Sequence, residues 1–323
     1  MPKAGKTCEA RFLIGYGNSF RECSNLKTEL AEKTSEISSN REGISRNGAF
    51  LLQLGIVLAL VALLYSHVVV KLVRQWLDDP NYSHGFFVPL CAGLLLWMSR
   101  KTWMAKPLKP SGAGMVLIVA AMGLLVVGTL GAELFLPRVS LCILIGGLIV
   151  YFAGWGMLRV VIAPWLVLFL MIPLPAIIFN EVAFPLQLLA SRLACSLLEL
   201  MRVPVLRDGN VIVLSSMSLD IVEACSGLRS LMSLITIAVI YGLFFERRVW
   251  MRLLLVFFAV PVAVFANALR ITVSALLGQY VSHQLAEGFF HAFSGLLLFL
   301  LSLAALGAFH MLGSRFGRRR MAT

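Results

Sequence analysis

The chain has 323 residues, of which 59% are hydrophobic and only 14% are charged, and its mean hydropathy is +0.88. Average soluble domains carry about 25% charged residues, so this composition excludes a soluble globule. The net charge of +12 comes mostly from residues between apolar stretches and at the C-terminal end. The positive-inside rule places Lys and Arg at such positions, so we expect membrane lipids as partners and no nucleic acid.

Three regions follow from this pattern. Residues 1–47 are polar and mixed in charge, without the basic start and apolar core of a cleaved signal peptide, and they predict a cytoplasmic extension that need not be ordered. Residues 48–312 hold the apolar stretches and predict the transmembrane domain. Residues 313–323 predict a basic cytoplasmic tail.

The apolar stretches approach the ~20 residues that cross a hydrocarbon core, which predicts an all-α polytopic membrane protein with about eight transmembrane helices. The predicted spans are 48–70, 86–98, 113–132, 139–155, 158–178, 226–245, 250–271 and 289–312. The second is short and is expected to start nearer Tyr82. Residues 179–201 carry several polar side chains and predict an amphipathic helix at the interface, although a membrane crossing stays open.

Residues 203–214 change to short β-branched runs on either side of Asp208-Gly209. An Asp-Gly turn between such runs predicts a β-hairpin, which we expect on the periplasmic side. This hairpin leads directly into the polar, turn-rich stretch that contains Cys225. Of six cysteines, Cys225 alone is flanked by charge, turn formers and a span boundary. No C-x-x-C pair occurs, so the sequence indicates neither a zinc site nor a redox motif, and no metal or cofactor is expected.

Charge placement brings three reactive side chains to one depth. The basic loops at 100–109 and 246–252 and the tail at 315–320 are expected in the cytoplasm. Cys225 then lies at the outer end of the sixth span. About 20 residues at ~1.5 Å rise carry Arg270 to the outer end of the seventh span, and His291 begins the eighth on the same side.

The common depth of Cys225, Arg270 and His291 predicts acyl-transfer chemistry. A guanidinium lowers the pKa of a nearby thiol, and the thiolate is the nucleophile. A histidine exchanges protons during acyl transfer, while Arg270 alternatively stabilises an oxyanion. Arg229 lies four residues after Cys225, and Asn267 three before Arg270, so each shares a helical face with its partner. Ser274 lies four after Arg270, so Asn267 and Ser274 present a common face that could hydrogen-bond the guanidinium.

The motifs resemble those of the exosortase/archaeosortase family of integral-membrane cysteine transpeptidases. The segments concerned are Glu-Ala-Cys-Ser-Gly-Leu-Arg at 223–229, Asn-Ala-Leu-Arg-Ile at 267–271, His291 with Gly295, and Asn-Tyr-Ser-His-Gly at 81–85. The resemblance implies Cys225 as nucleophile, completed by Arg270 and His291. The resemblance also includes Glu223 and His84 as supporting residues, and whether they take part in catalysis stays open.

By the same resemblance, the substrates are exported proteins with a C-terminal sorting signal, namely a short motif such as Pro-Glu-Pro, a membrane span and a basic tail. Cleavage would form a thioester on Cys225, which an acceptor molecule of unknown identity or water would resolve. The resemblance also implies the inner membrane of Gram-negative bacteria, a periplasmic active site and a link to exopolysaccharide export.

Two other classes of function are compatible with the composition. One is a transporter for small anions or lipids, in which Arg270 and Glu181 bind the anion. Transporters favour internal repeats and broken helices near the midplane, and no convincing repeat is present. The other is a non-catalytic membrane scaffold for polysaccharide assembly, which would leave the coincidence of Cys, Arg and His unexplained.

Overall fold

A computed structural model describes residues 52–215, 218–220, 228–280 and 289–319. Within these ranges the side chains of 219, 220, 228, 289–292 and 315–319 are not described. The predicted extension at 1–47 and two predicted site residues, Glu223 and Cys225, lie outside the described residues. The chain divides into two compact units, Met1–Ser66 and His67–Thr323, and everything below concerns the second unless stated.

Helices make up most of the described chain. In order they are α1 Leu52–Asp78, α2 Phe87–Met98, α3 Arg100–Met104, α4 Ala113–Leu130, α5 Phe135–Ala153, α6 Trp155–Val160, α7 Ile162–Val167, α8 Ala176–Leu200, α9 Leu228–Phe245, α10 Val249–Tyr280 and α11 Phe289–Arg319. Two 3-10 helices cover Pro80–Phe86 and Leu168–Met171, and three strands are β1 Val205–Asp208, β2 Val211–Leu214 and β3 Ser218–Asp220.

Within the described ranges, six helices are long and apolar enough to cross a membrane, which confirms a polytopic helical membrane protein. They are α1, α4, α5, α8, α10 and residues 293–314 of α11. Two shorter apolar helices, Ile162–Met171 and Arg229–Phe245, fall within the predicted fifth and sixth spans. The count of eight spans stays a prediction. Helix α8 has the length and composition of a span, whereas the sequence favoured an interfacial helix for this stretch.

The predicted fifth span, 158–178, is wrong as a single helix. The chain breaks into α6, α7 and a 3-10 turn, and then becomes extended before α8 begins at Ala176. Pro173 and Pro175 cause the extended part, because each lacks an N–H and biases its predecessor away from helix. Ile172, which precedes Pro173, has ψ 119°, and Pro175 has ψ 139°.

Helix α10 is longer than predicted. Its 32 residues continue to Tyr280, beyond residue 271, where the seventh span was predicted to end. At 1.5 Å per residue the helix is about 48 Å long, well beyond a hydrocarbon core of ~30 Å. Arg270 therefore lies within α10 and not at its end. Helix α11 also exceeds its prediction, continuing through the first part of the basic tail to Arg319.

The predicted hairpin is confirmed and gains a third strand. Strands β1 and β2 pair antiparallel with Asp208 opposite Val211, and Gly209 adopts φ +58° in the two-residue turn. Strand β3, which was not predicted, pairs with the other edge of β2. The turn is held on α8, because Asn210 Nδ2 donates to Gln187 Oε1 over 3.1 Å.

Helix α10 is the centre of the packing around the site. One face packs small residues Ala268 and Ala275 into a buried cluster with α8 and β2, which includes Ala194 and Ile212. Small side chains let membrane helices approach closely, since packing replaces the hydrophobic effect there. A second cluster joins α10 to α8, α9 and α11 through Ala183, Leu231, Leu234, Ala238, Leu255, Ala259, Ala263 and Leu306.

Candidate active site

Described elements flank residues 221–227, the segment that contains Cys225, in the sequence. On its N-terminal side, Asp220 ends β3 and pairs with Val211 of β2. On its C-terminal side, α9 begins at Leu228. The sheet is itself packed on α8 and α10, as Ile212 and Leu214 belong to the same buried cluster as Ile271. The structure therefore describes the strand before this segment and the helix after it, and that helix packs against α10.

Arg270 lies against α11 at Gly295. Its side chain is partly buried, and a Cβ atom built on Gly295 would stand 3.6 Å from Nη1 and 3.9 Å from Cδ of Arg270. The face of α10 on the side of α8, with Ala268 and Ile271, is fully buried, whereas Arg270 reaches toward α11. The absence of a side chain at Gly295 leaves room for the guanidinium beside the α11 backbone.

His291 lies four residues before Gly295 in the same helix. Residues four apart share a helical face and have Cβ atoms about 6 Å apart. The structure thus brings the Arg270 side chain to the face of α11 that carries His291. The His291 side chain is among those that the structure does not describe, so its contact with Arg270 stays a prediction.

The supporting residues differ in their surroundings. Asn267 is buried in α10, 7% exposed, and its Oδ1 atom has no hydrogen-bond partner. This oxygen therefore accepts no hydrogen bond from Arg270, and the supporting role of Asn267 stays a prediction. Arg229 is exposed at the second position of α9. Its expected role beside Cys225 remains a prediction.

His84 belongs to the 3-10 helix Pro80–Phe86, which packs against α9. Asp79 caps this helix by accepting the Asn81 N–H at 2.9 Å, and Pro80 provides its first residue. Burial lowers the pKa of His84, although the nearby backbone carbonyls of Leu170 and Asn81 oppose this effect. Its Nδ1 atom is buried without a hydrogen-bond partner. The motif at 81–85 thus forms a folded cap next to the helix that follows Cys225.

Comparison with known proteins decides the family. The sequence profile of the transmembrane exosortases matches residues 76–308, more than half of the chain. The chain belongs to the transmembrane exosortase family. No curated protein and no solved structure matches it. Membership indicates a membrane transpeptidase that acts on sorting signals, and the matched region contains every residue of the predicted site.

Sequence reasoning missed one charged residue of this exosortase domain. Arg138, in the first turn of α5, is only 3% exposed. It lies close to Tyr82 of the 3-10 helix. An arginine inside an apolar stretch is costly and marks a functional site by default, and that signal was available from the sequence.

The arrangement suits acyl-transfer chemistry. Arg270 presents a planar guanidinium, whose donors match an oxyanion or a carboxylate. Among the residues that the structure describes, no group of three His, Cys, Asp or Glu side chains could hold a metal ion. The predicted site therefore combines an arginine at a helix–helix contact, a histidine position on the facing helix and Cys225, whose segment lies outside the described residues.

Proposed function

We propose that this protein is a membrane-embedded cysteine protease and transpeptidase, which cleaves the C-terminal sorting signal of exported proteins through a thioester on Cys225. Membership of the exosortase family supports the class of reaction. The contact of Arg270 with Gly295, one turn from His291, is the observation on which the active-site assignment rests. The expected recognition motif is of the Pro-Glu-Pro type, followed by a span and a basic tail.

The reaction proceeds in two balanced steps. The Cys225 thiolate attacks the carbonyl carbon of the scissile peptide bond, forming a C–S bond and a tetrahedral oxyanion. The C–N bond then breaks, and His291 gives a proton to the leaving amine. In the second step an acceptor nucleophile or water loses a proton to His291 and attacks the thioester, which releases the thiolate.

Arg270 has two roles compatible with its position. Its charge favours the thiolate form of Cys225. Its N–H groups also stabilise the oxyanion, an interaction that is strongest for fixed donors in a site with little water. The packing of its side chain against the backbone of α11 restrains the guanidinium, and fixed donors need no reorganisation during the reaction.

Membrane topology supports the substrate class. The basic loops and tail are expected on the cytoplasmic side, so the site lies at the opposite, periplasmic boundary of the inner membrane. A substrate with its own span and basic tail presents the motif before its span at that boundary. The linkage to exopolysaccharide export follows from the family resemblance and belongs to the same proposal.

The test is substrate processing in cells that express a tagged precursor with this signal. Cys225→Ala is expected to abolish cleavage, so uncleaved precursor accumulates, while Cys91→Ala in α2 serves as the matched control and retains it. Cleavage at the wild-type rate in Cys225→Ala would refute the assignment of the nucleophile. A transporter or a scaffold would leave the precursor intact in every strain, wild type included.

A further inference from the structure

The first turn of α5 contains a buried cation, Arg138, with no ion-pair partner among the residues that the structure describes. Arg138 is 3% exposed, and its Nη2 atom is buried without a hydrogen-bond partner. Within the described ranges, no carboxylate lies within ion-pair distance of its guanidinium. A buried charge without a partner is strongly unfavourable, so this position demands an explanation beyond packing.

The two carboxylates nearest this region are engaged elsewhere. Glu133 interacts with the Arg138 charge only at a distance, because its Oε2 accepts the backbone N–H of Phe135 at 2.9 Å and so caps α5. Asp79 is occupied as the cap of the 3-10 helix. The protein therefore uses its own acids to stabilise helix ends and leaves the guanidinium of Arg138 available.

Tyr82 supplies a second polar group beside Arg138. Burial, with the charge of Asp79, raises the pKa of Tyr82 despite a hydrogen bond with the Leu174 backbone and the charge of Arg138, so the side chain is a neutral hydroxyl that can donate to an anion. The ring is 7% exposed and packs against Phe179, with ring centroids 6.0 Å apart. Both side chains are buried, which strengthens any charge-assisted hydrogen bond made there.

Packing connects this pair to the candidate active site. Phe179, which contacts Tyr82, also packs against the cluster that contains Leu231 and Leu234 of α9. These residues lie within the first two turns of α9, whose start follows Cys225 by three residues. The 3-10 helix that carries Tyr82 contacts α9 directly. Direct packing therefore connects Tyr82 to α9, the helix that follows Cys225 in the sequence.

We propose that Arg138, assisted by Tyr82, binds a carboxylate side chain in the recognition motif of the substrate polypeptide. This inference rests on the proposed function and names the part of the substrate that the domain reads. A single arginine fork among aromatic side chains fits the planar carboxylate of one glutamate or aspartate.

The test is a double-mutant cycle between enzyme and substrate. In wild-type enzyme, changing Glu to Gln in the Pro-Glu-Pro motif is expected to slow Cys225-dependent cleavage by roughly 10-fold or more, the usual size of a lost hydrogen bond to a charged group. In Arg138→Gln enzyme, the same substrate change should alter the rate by less than about 2-fold. Arg207→Gln, an exposed arginine on β1, is the matched control and should leave the substrate effect at its wild-type size.

Folding and lipid binding are separated from substrate recognition in the same experiment. If Arg138→Gln does not accumulate, Arg138→Lys is used instead, because lysine keeps the charge without the planar fork of donors. Binding of a motif peptide to Cys225→Ala enzyme, with and without Arg138→Lys, is then measured in place of the cleavage rate. Equal substrate effects in wild type and the Arg138 variant would overturn the proposal while leaving Cys225 chemistry intact. An Arg138 effect that depends on phosphatidylglycerol in the vesicles and not on the motif acid would assign the site to a lipid phosphate, also overturning it. Loss of cleavage dependence on Cys225 would instead refute the proposed function.

Discussion

The side chain of Arg270 in α10 lies over Gly295 in α11, with Nη1 3.6 Å from the point that a Cβ atom on Gly295 would occupy. This contact joins the two helices that carry Arg270 and His291. It is also selective for size, because a Cβ at that distance makes ordinary contact whereas a branched side chain would occupy the space of the guanidinium.

Substitution of Gly295 should therefore depend on side-chain size. Gly295→Ala is expected to keep most of the processing activity, and Gly295→Leu to lose it because Arg270 is displaced. The matched control is Gly307→Leu on the same helix, where an added Cβ would meet nothing within 4 Å. Processing of a tagged precursor measures the effect. Equal loss in both leucine variants would show that α11 simply tolerates no large side chain at its glycines.

Replacing Arg270 by Lys separates charge from geometry. Lysine keeps the positive charge that favours a thiolate but cannot present the planar fork of donors. We expect cleavage to fall by about 100-fold or more if the fork stabilises the oxyanion, the cost typical of one lost donor. The measurement is the single-turnover cleavage rate in proteoliposomes. Near-wild-type cleavage by Arg270→Lys would restrict the role of Arg270 to its charge.

Much of the fold was predictable because membrane physics constrains it. Apolar stretches identified most of the helices, and the Asp208-Gly209 signal identified the hairpin. The break between α6 and α8 was not predicted, although Pro173 and Pro175 were visible, because hydropathy alone does not register a lost N–H donor. The extension of α10 to Tyr280 was missed for a related reason, since polar residues near a helix end resemble a loop in composition.

The candidate site was predictable as a set of residues and not as contacts. Charge placement and the motifs identified Arg270 and His291, and the structure brings the helix faces that carry them together. The missing hydrogen bond at Asn267 shows the limit, because a shared helical face says nothing about which polar atoms meet. Arg138 was visible in the sequence as a charge beside an apolar stretch, but its burial to 3% exposure is a property of the tertiary structure and could not be predicted.

The close pairing of α4 and α5 should be sensitive to a single methyl group. A Cβ on Gly114 would overlap the backbone of Tyr151, so Gly114→Ala forces the two helices apart. Overpacking of this kind costs about 1–3 kcal/mol. Gly123→Ala, on the same helix with open space around it, is the control. Thermal unfolding in detergent should show a lower Tm for Gly114→Ala only, and equal Tm values for the two variants would contradict this packing.

Stability should depend on pH through His84. Burial lowers the pKa of His84 below its ordinary value of 6.5, so the unfolded chain binds more protons than the folded protein in the window below that value. The contribution of His84 to the free energy of unfolding is therefore fully present above pH 6.5 and is lost as the pH falls through the pKa of His84 in the folded protein. Between pH 7.5 and 5.5, Tm should fall less for His84→Gln than for wild type.

The control for this pH effect is His67→Gln, which changes an exposed histidine of α1. Its Tm should fall with pH as steeply as that of the wild type. A pH dependence in His84→Gln identical to the wild type would show that another group is responsible. Glu246, whose pKa is lowered mainly by the backbone N–H of Arg248, loses its contribution only below pH 4.5 and so does not interfere.

The central claim is that Cys225 forms a covalent bond with the substrate, and its most direct test is capture of that intermediate. Purified enzyme is incubated in proteoliposomes with a tagged substrate, quenched in acid and analysed by mass spectrometry before and after hydroxylamine, which cleaves thioesters. We predict an adduct of the substrate fragment on Cys225 that hydroxylamine removes and that Cys225→Ala lacks. Cleaved substrate formed at equal yield by Cys225→Ala, with no adduct on either protein, would contradict the account.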